Sequence, residues 1–201
     1  MPALETVKKI AERITVWSRP TLGAARGLTR VRKAHLFDFH DDGFVPNHPR
    51  WPLIVYRSVV RLPAAFDPAS IFEQLFASHG WRRSWRNGVY DFVHYHSRIH
   101  EVLGVARGRG TVRFGGGRGR KFELKAGDVA ILPAGTGHQR LASSDDFLVV
   151  GAYPSTGTYD LCRRIEDRDK ALAAIPTVAR PRADPVFGSR GFLLEAWKTQ
   201  R

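Results

Sequence analysis

The sequence predicts an all-β protein, a small antiparallel barrel or sandwich with a few peripheral helices. After Gly80 the chain alternates short apolar runs with turns that are rich in glycine, of which residues 115–117 are the clearest. From residue 34 the apolar pattern changes to a period of two, which is typical of a half-buried strand. Many short strands separated by such turns indicate a sandwich or barrel, and not the alternating strands and helices of an α/β fold.

The individual elements follow from the same signals. The predicted strands share short apolar or alternating runs between turn residues, and they span residues 36–39, 53–60, 82–86, 89–95, 102–107, 110–114, 121–124, 129–132, 147–153 and 192–197. One helix interrupts them after Asp67, which is suited to an N-cap, with Pro68 in the first turn and Gly80 at the stop. A second helix is predicted within residues 160–174.

The first 33 residues differ from the rest of the chain. Residues 4–17 place apolar side chains at spacings of three and four, which predicts an amphipathic helix. Residues 18–33 are basic and contain Pro20, Gly23 and Gly27, so we expect a connecting arm there, part of it disordered. The predicted organisation is therefore a helix and basic arm over residues 1–33, followed by one domain over residues 34–201.

Composition narrows the possible partners and location. The 32 Lys and Arg outnumber the 19 Asp and Glu, but the excess is spread along the chain and no nucleic-acid-binding motif accompanies it, so a nucleic-acid partner is not expected. Cys162 is the only cysteine, which excludes an internal disulfide and a cysteine-based zinc site. Because no apolar stretch reaches about 18 residues, the sequence predicts no membrane span and a cytoplasmic protein.

Three histidines and one glutamate are spaced as metal ligands. His94 and His96 lie two residues apart in a predicted strand, so their side chains point to the same face. Glu101 follows after a four-residue turn, and His138 follows the turn Pro133-Ala134-Gly135. Three imidazoles and a carboxylate hold one divalent transition metal ion, Fe, Mn, Ni, Cu or Zn, and leave positions open for a substrate.

The frame around these residues resembles the two motifs of the cupin superfamily. Gly88, five residues, His94-Tyr95-His96, four residues, Glu101, six residues and Gly108 agree with the first motif. Gly127, five residues, Pro133-Ala134-Gly135, two residues and His138 agree with the second, although Ala142 stands where that motif has asparagine. The resemblance implies a jelly-roll barrel, also called a double-stranded β-helix or RmlC-like fold, with a metal-site core over residues 88–153.

A closer likeness runs through most of the chain from residue 36. The segments that carry it resemble the YjlB-like single-domain bacterial cupins, and they are residues 41–43, 46–47, 80–81, 85–88, 94–97, 100–104, 151–154 and 184–188. This group has no reaction that we can assign. The resemblance therefore implies a single cupin domain over residues 34–201 and a bound metal, without naming the substrate.

Several roles at the site are open to alternatives. If side chains alternate along one strand, His100 points to the same face as His96 and could be the ligand in place of Glu101, but a turn between them can change which face a residue points to. The family pattern favours Glu101 as the ligand and leaves His100 as a hydrogen-bond partner of the ligands. Glu101 is also the candidate general base. Arg140 shares the parity of His138 and either binds a substrate carboxylate or phosphate or is solvated. Trp85 and Tyr153 are candidate substrate-binding walls, although aromatic residues in barrels are more often core.

These features predict a metal-dependent enzyme that acts on a small polar molecule. A redox metal favours oxygenase chemistry, whereas zinc favours isomerisation or hydrolysis. The alternative is a non-catalytic cupin that binds or senses a small molecule and uses the metal as an anchor. Because barrels of this kind pair through edge strands, a homodimer is also expected.

Overall fold

The structure is a computed structural model, and it describes residues 17–198. The predicted helix over residues 4–17 lies outside the described residues, except for Trp17. Within these described residues, nine strands form two antiparallel sheets. The strands are β1 (Ala34–Phe37), β2 (Leu53–Tyr56), β3 (Trp81–Asn87), β4 (Glu101–Arg107), β5 (Arg109–Phe114), β6 (Arg120–Lys125), β7 (Val129–Leu132), β8 (His138–Ser143) and β9 (Leu148–Pro154). The larger sheet has the order β1-β2-β7-β4-β9-β3, and the smaller has the order β6-β5-β8.

In the part of the chain that the structure describes, four α-helices lie outside the sheets. They are α1 (Leu22–Gly27), α2 (Pro68–Ser78), α3 (Arg168–Ala174) and α4 (Leu193–Ala196), and short 3₁₀ turns span Ile165–Asp167 and Ile175–Thr177. Helix α2 begins where the sequence predicts, because the Asp67 side chain accepts hydrogen bonds from the backbone N–H groups of Ala69 and Ser70 and Pro68 lies in the first turn. None of the helices within residues 17–198 combines the length and the apolar character needed to cross a bilayer.

The central strands of the larger sheet, β2, β7, β4 and β9, are buried on both faces, whereas the edge strands β1 and β3 are partly exposed. On strand β2, Leu53 and Val55 face the smaller sheet and form the barrel interior, whereas Ile54 and Tyr56 face helix α2. Gly104 of β4 lets α2 approach the sheet, since a Cβ atom there would lie 2.4 Å from the Phe72 ring. The two antiparallel sheets have the arrangement of the predicted jelly-roll barrel.

Three of the predicted elements are wrong in kind. Residues 89–95 do not form a strand with a regular partner; their pairing consists of single bridges from His94 to His138 and from Tyr95 to Cys162. The predicted strand at residues 192–197 is helical, because the buried side chains of Leu193 and Trp197 are four residues apart and share one helix face. Within the expected arm, residues 22–27 form α1, which contacts α2.

Candidate metal centre

The three predicted histidines converge on one point. His94 and His96 lie on the extended segment between β3 and β4, and His138 is the first residue of β8. His94 and His138 are held side by side by two backbone hydrogen bonds, of 3.2 Å from His94 N–H and 2.9 Å from His138 N–H. One nitrogen from each of the three rings lies within 4.8 Å of the others, and all three residues are buried. Residues 94, 96 and 138 can therefore bind one metal ion.

Backbone carbonyls fix the protonation of each ring. Nδ1 of His94 lies 3.1 Å from the Phe92 carbonyl, Nδ1 of His138 lies 3.0 Å from the Thr136 carbonyl, and Nδ1 of His96 contacts the Asp160 carbonyl. A carbonyl oxygen only accepts, so each Nδ1 must carry the proton. Each Nε2 then presents its lone pair to the centre, which is the tautomer that a metal-binding imidazole needs.

Glu101, the first residue of β4, adds a fourth acceptor atom. Its Oε2 lies 3.3 Å from His138 Nε2 and 3.5 Å from His96 Nε2, and the residue is only 2% exposed. Within the described part of the chain this oxygen has no hydrogen-bond partner. Lone pairs thus face one another in a buried site, an arrangement that a cation relieves. The residues present therefore fit a divalent metal ion.

The pKa shifts of Glu101 and His94 agree with ligand chemistry. Burial by itself raises the pKa of Glu101, but the neighbouring His96 and His138 outweigh this effect and the pKa is lowered. Burial lowers the pKa of His94 to about 2, with His138 adding to the effect. Burial also acts to lower the pKa of His96, but the Glu101 carboxylate reverses this and raises it. At neutral pH the carboxylate is therefore ionised and His94 is neutral, as ligation requires.

Asp160 holds the loop that carries His96. Its carboxylate accepts hydrogen bonds from the Ser97 hydroxyl at 2.6 Å, from Ser97 N–H at 3.0 Å and from Arg98 N–H at 3.2 Å. Its carbonyl oxygen contacts His96 Nδ1. One residue thus fixes both the backbone and the ring orientation of a metal ligand.

We expect Asp160→Ala to weaken metal binding by about 10- to 100-fold, the range typical of residues that support metal ligands. We expect this loss because the substitution removes the carboxylate that holds the backbone next to His96, and the position of His96 Nε2 relative to the ion is then less fixed. Competition with a chelator measures the affinity. Asp169, which is exposed, gives the matched control Asp169→Ala. Unchanged affinity in Asp160→Ala would contradict this supporting role.

His100 does not join the centre. It is fully buried between Trp51 and Trp197, its Nδ1 accepts a hydrogen bond of 2.9 Å from Ala134 N–H, and its Nε2 donates to the Ala179 carbonyl at 3.2 Å. Both ring nitrogens are therefore used by the backbone and not, as the sequence suggested, by a ligand side chain. Burial, with His48 nearby, lowers its pKa to about 3. Its role is to hold the turn that precedes His138.

A cavity of about 330 Å³ opens above the four residues. The two predicted walls are both present, since Trp85 and Tyr153 line it and the Trp85 indole N–H donates to the Tyr153 hydroxyl at 3.0 Å. Gly151 makes room for the Trp85 ring, which would lie 2.1 Å from a Cβ atom. Arg140 lies outside the lining; its guanidinium donates to the Val89 carbonyl and to the Ser143 hydroxyl.

Sequence reasoning missed three residues of this region. Tyr90 and Tyr159 line the cavity, and Asp160 supports His96. Tyr90 has the parity of His94 and His96, so alternation along the segment gave a usable signal for it. Tyr159 and Asp160 lie in a loop that follows His96 by more than 50 residues in the sequence, and no local pattern indicates that this loop lies next to His96.

Comparisons with known proteins agree with this architecture. A family model described as a cupin domain matches residues 87–150. The chain is 40% identical over 167 residues to "Uncharacterized protein YjlB" of Bacillus subtilis (strain 168), covering 83% of this chain and 98% of that protein.

Two solved structures show a limited similarity to part of the chain. Acireductone dioxygenase from Bacillus anthracis, with a cadmium ion in its active centre, is 17% identical with a TM-score of 0.34, covering 44% of this chain and 62% of that one. The TDP-quinovose 3,4-ketoisomerase from Campylobacter jejuni is 16% identical with a TM-score of 0.37, and the match covers 46% of this chain and 75% of that one.

Proposed function

The chain belongs to the cupin superfamily as a relative of YjlB, and from this premise we propose that it is a metal-dependent enzyme acting on a small polar molecule. One observation carries the proposal. Three buried imidazoles have their Nδ1 protons held by backbone carbonyls, and their Nε2 atoms converge where Glu101 Oε2 has no hydrogen-bond partner among the described residues. Such a donor set suits Fe, Mn, Ni, Cu or Zn and leaves coordination positions open toward the cavity.

The protein residues have separable tasks. We propose that His94, His96, His138 and Glu101 hold the ion, which when bound supplies a Lewis acid or, for a redox metal, oxygen chemistry. Glu101 is the candidate general base, because it is the one carboxylate among the described residues that line the cavity. Burial, followed by the charge of Glu101, raises the pKa of Tyr153. Tyr153 therefore keeps its proton and acts as a hydrogen-bond donor beside the site.

A non-catalytic binding role is the second candidate. It is favoured by the same lining, in which Glu101 has no second carboxylate beside it among the described residues. If Glu101 stays bound to the ion throughout, the cavity can hold a small molecule without transforming it. The predicted cytoplasmic location and homodimer stay predictions, as does a role for Arg140 in substrate binding.

The metal content of protein purified without an affinity tag tests the proposal. We expect about one divalent transition metal ion per chain by elemental analysis, because among the described residues the buried Glu101 Oε2 otherwise has no hydrogen-bond partner. Substrate screening with that metal present then separates the enzyme from the binding protein. Protein that contains no transition metal and takes up none on addition would refute the metal site.

Glu101→Gln tests the role of the carboxylate. The substitution keeps the shape and one oxygen but removes the charge and the base. We expect metal affinity to fall by about 10- to 100-fold and turnover at saturating metal to fall by about 10²–10⁴-fold. Calorimetry and steady-state kinetics measure the two effects. Small-molecule binding that persists in Glu101→Gln, without turnover even in the wild type, would favour the binding role.

A further inference from the structure

Two exposed tyrosines stand at the metal centre. Tyr90 is 46% exposed and Tyr159 is 43% exposed, although both line the cavity. The Tyr90 ring packs edge-on against His94 with centroids 5.1 Å apart, and the Tyr159 ring packs against His96 at 4.9 Å. Each ring thus rests on a different metal-binding imidazole and leaves much of its surface to the opening. Exposed aromatic surface in a cavity is a recognition surface for another flat group.

The cavity offers no unpaired cation to an acidic ligand. Among the described lining residues, Arg86 is the only Lys or Arg. Its guanidinium is already bound to both oxygens of Glu73, at 2.7 and 2.8 Å, and to Asp67 at 2.7 Å. Arg83 and Arg163 lie over the rings of Tyr153 and Phe92, but neither lines the cavity. Recognition of a carboxylate or phosphate ordinarily uses such a cation, and this cavity does not supply one.

The charge balance at the metal centre also disfavours a ligand with two negative charges. A divalent ion together with the ionised Glu101 carries a net charge of +1, and the three imidazoles add none when they bind a metal. One ionisable oxygen on the ligand neutralises this charge. A dianion would instead carry an excess negative charge into a cavity walled by Trp85, Tyr90, Tyr153 and Tyr159.

We propose that this cavity takes a small planar unsaturated molecule, uncharged when free, that carries an ionisable hydroxyl of the phenol or enol type. The hydroxyl oxygen is directed to the metal, and the flat body lies against Tyr90 and Tyr159. A cavity of about 330 Å³ holds a single ring with small substituents. The inference rests on the proposed function, because the hydroxyl needs the metal ion.

The probe is protein loaded with Co(II), whose visible absorption bands report both metal binding and changes in the ligands. Catechol, oxalate and inorganic phosphate are titrated separately into the loaded protein. We expect catechol to change the bands with a dissociation constant at least about tenfold lower than those of oxalate and phosphate. Tyr90→Ala and Tyr159→Ala should each weaken catechol by about 3- to 10-fold, as loss of an aromatic contact predicts, while the bands of the catechol-free protein stay unchanged. Phe192→Ala is the matched control, since Phe192 is 44% exposed and lies outside the cavity.

The possible outcomes separate the two proposals. Co(II) bands that respond to oxalate or phosphate more tightly than to catechol would overturn the ligand class while leaving the metal site intact. The same conclusion follows if both alanine variants bind catechol within twofold of the wild type. Absence of any Co(II) band in the wild type would remove the metal site, and the inferred ligand with it. Tighter catechol binding that is lost in both alanine variants and kept in Phe192→Ala supports the proposal.

Discussion

His96→Ala is expected to lose its bound metal, with an affinity at least about 100-fold lower than that of the wild type and no turnover. Removal of a ligand costs more than removal of a residue that only supports one, for which losses of about 10- to 100-fold are typical. His96 lies at the centre of the site, because its Nε2 is within 3.5 Å of Glu101 Oε2 and its Nδ1 is fixed by the Asp160 carbonyl. The substitution also leaves His138, at 3.3 Å, as the one imidazole of the described residues that still lies beside the buried Glu101 carboxylate.

Two measurements distinguish lost ligation from lost folding. Elemental analysis gives the metal content, and circular dichroism gives the melting temperature of the metal-free protein. His35→Ala is the control, since His35 is an exposed residue on strand β1 and should keep full occupancy. If His96→Ala retained full metal occupancy, the assignment of this ligand would be wrong.

The parts of the fold that were predictable are those encoded by neighbouring residues. The start of α2 follows from Asp67 and Pro68, whose effects act within one helical turn. Strands β4, β5, β6, β7 and β9 lie within one residue of their predicted bounds, because apolar runs bounded by turn residues leave few alternatives.

The errors arose where tertiary contacts decide the backbone. Residues 89–95 have the alternation of a strand, but they pass between β8 and the loop at Cys162 and pair with each at a single bridge. Alternation reports side-chain direction and not the presence of a continuous partner, so it placed His94 and His96 correctly while predicting the wrong element. The six-residue apolar run at 192–197 is too short for periodicity alone to separate a helix from a strand.

The residues of the candidate site also fall into a group that local sequence spacing indicates and a group that long-range contacts bring to the site. The sequence spacing identified His94, His96, His138 and Glu101, because two short motifs hold them at fixed distances along the chain. The carbonyls that set the tautomers of His94 and His138 lie two residues away from each ring, but the one that orients His96 comes from Asp160. The tyrosine walls likewise combine Tyr90, which is local to the motif, with Tyr153 and Tyr159, which follow it by about 50 residues or more. Long-range contacts of this kind leave no periodic signal in the sequence.

The second large effect concerns Asp184, which joins the C-terminal segment to the larger sheet. Asp184 is fully buried, and its carboxylate accepts hydrogen bonds from the Tyr56 hydroxyl at 2.8 Å and from the N–H groups of Val186, Phe187 and Leu193 at 2.8, 3.0 and 3.2 Å. Leu193 begins α4, so the carboxylate fixes this helix against strand β2. Burial, followed by the charge of Asp184, raises the pKa of Tyr56, and the hydroxyl therefore stays a donor.

We expect Asp184→Ala to lower the free energy of unfolding by about 3–5 kcal/mol, because it leaves three buried donors and the part-buried Phe187 N–H without an acceptor. Urea denaturation followed by tryptophan fluorescence measures the change. Asp145→Ala, at an exposed position, should stay within about 0.5 kcal/mol of the wild type. Asp184→Asn keeps one acceptor oxygen, and its free energy of unfolding should lie between those of Asp184→Ala and Asp145→Ala.

Metal affinity separates this structural role from one at the site. Tyr56 faces helix α2, on the side of the sheet away from the barrel interior. The folded fraction of Asp184→Ala should therefore bind metal as tightly as the wild type, whereas His96→Ala should lose binding without a comparable loss of stability. A stability change of less than about 1 kcal/mol in Asp184→Ala would show that the four donors find other acceptors. In that case the C-terminal helix would depend on the packing of Leu193 and Trp197 and on the hydrogen bond of 2.9 Å from the Trp197 indole N–H to the Pro52 carbonyl.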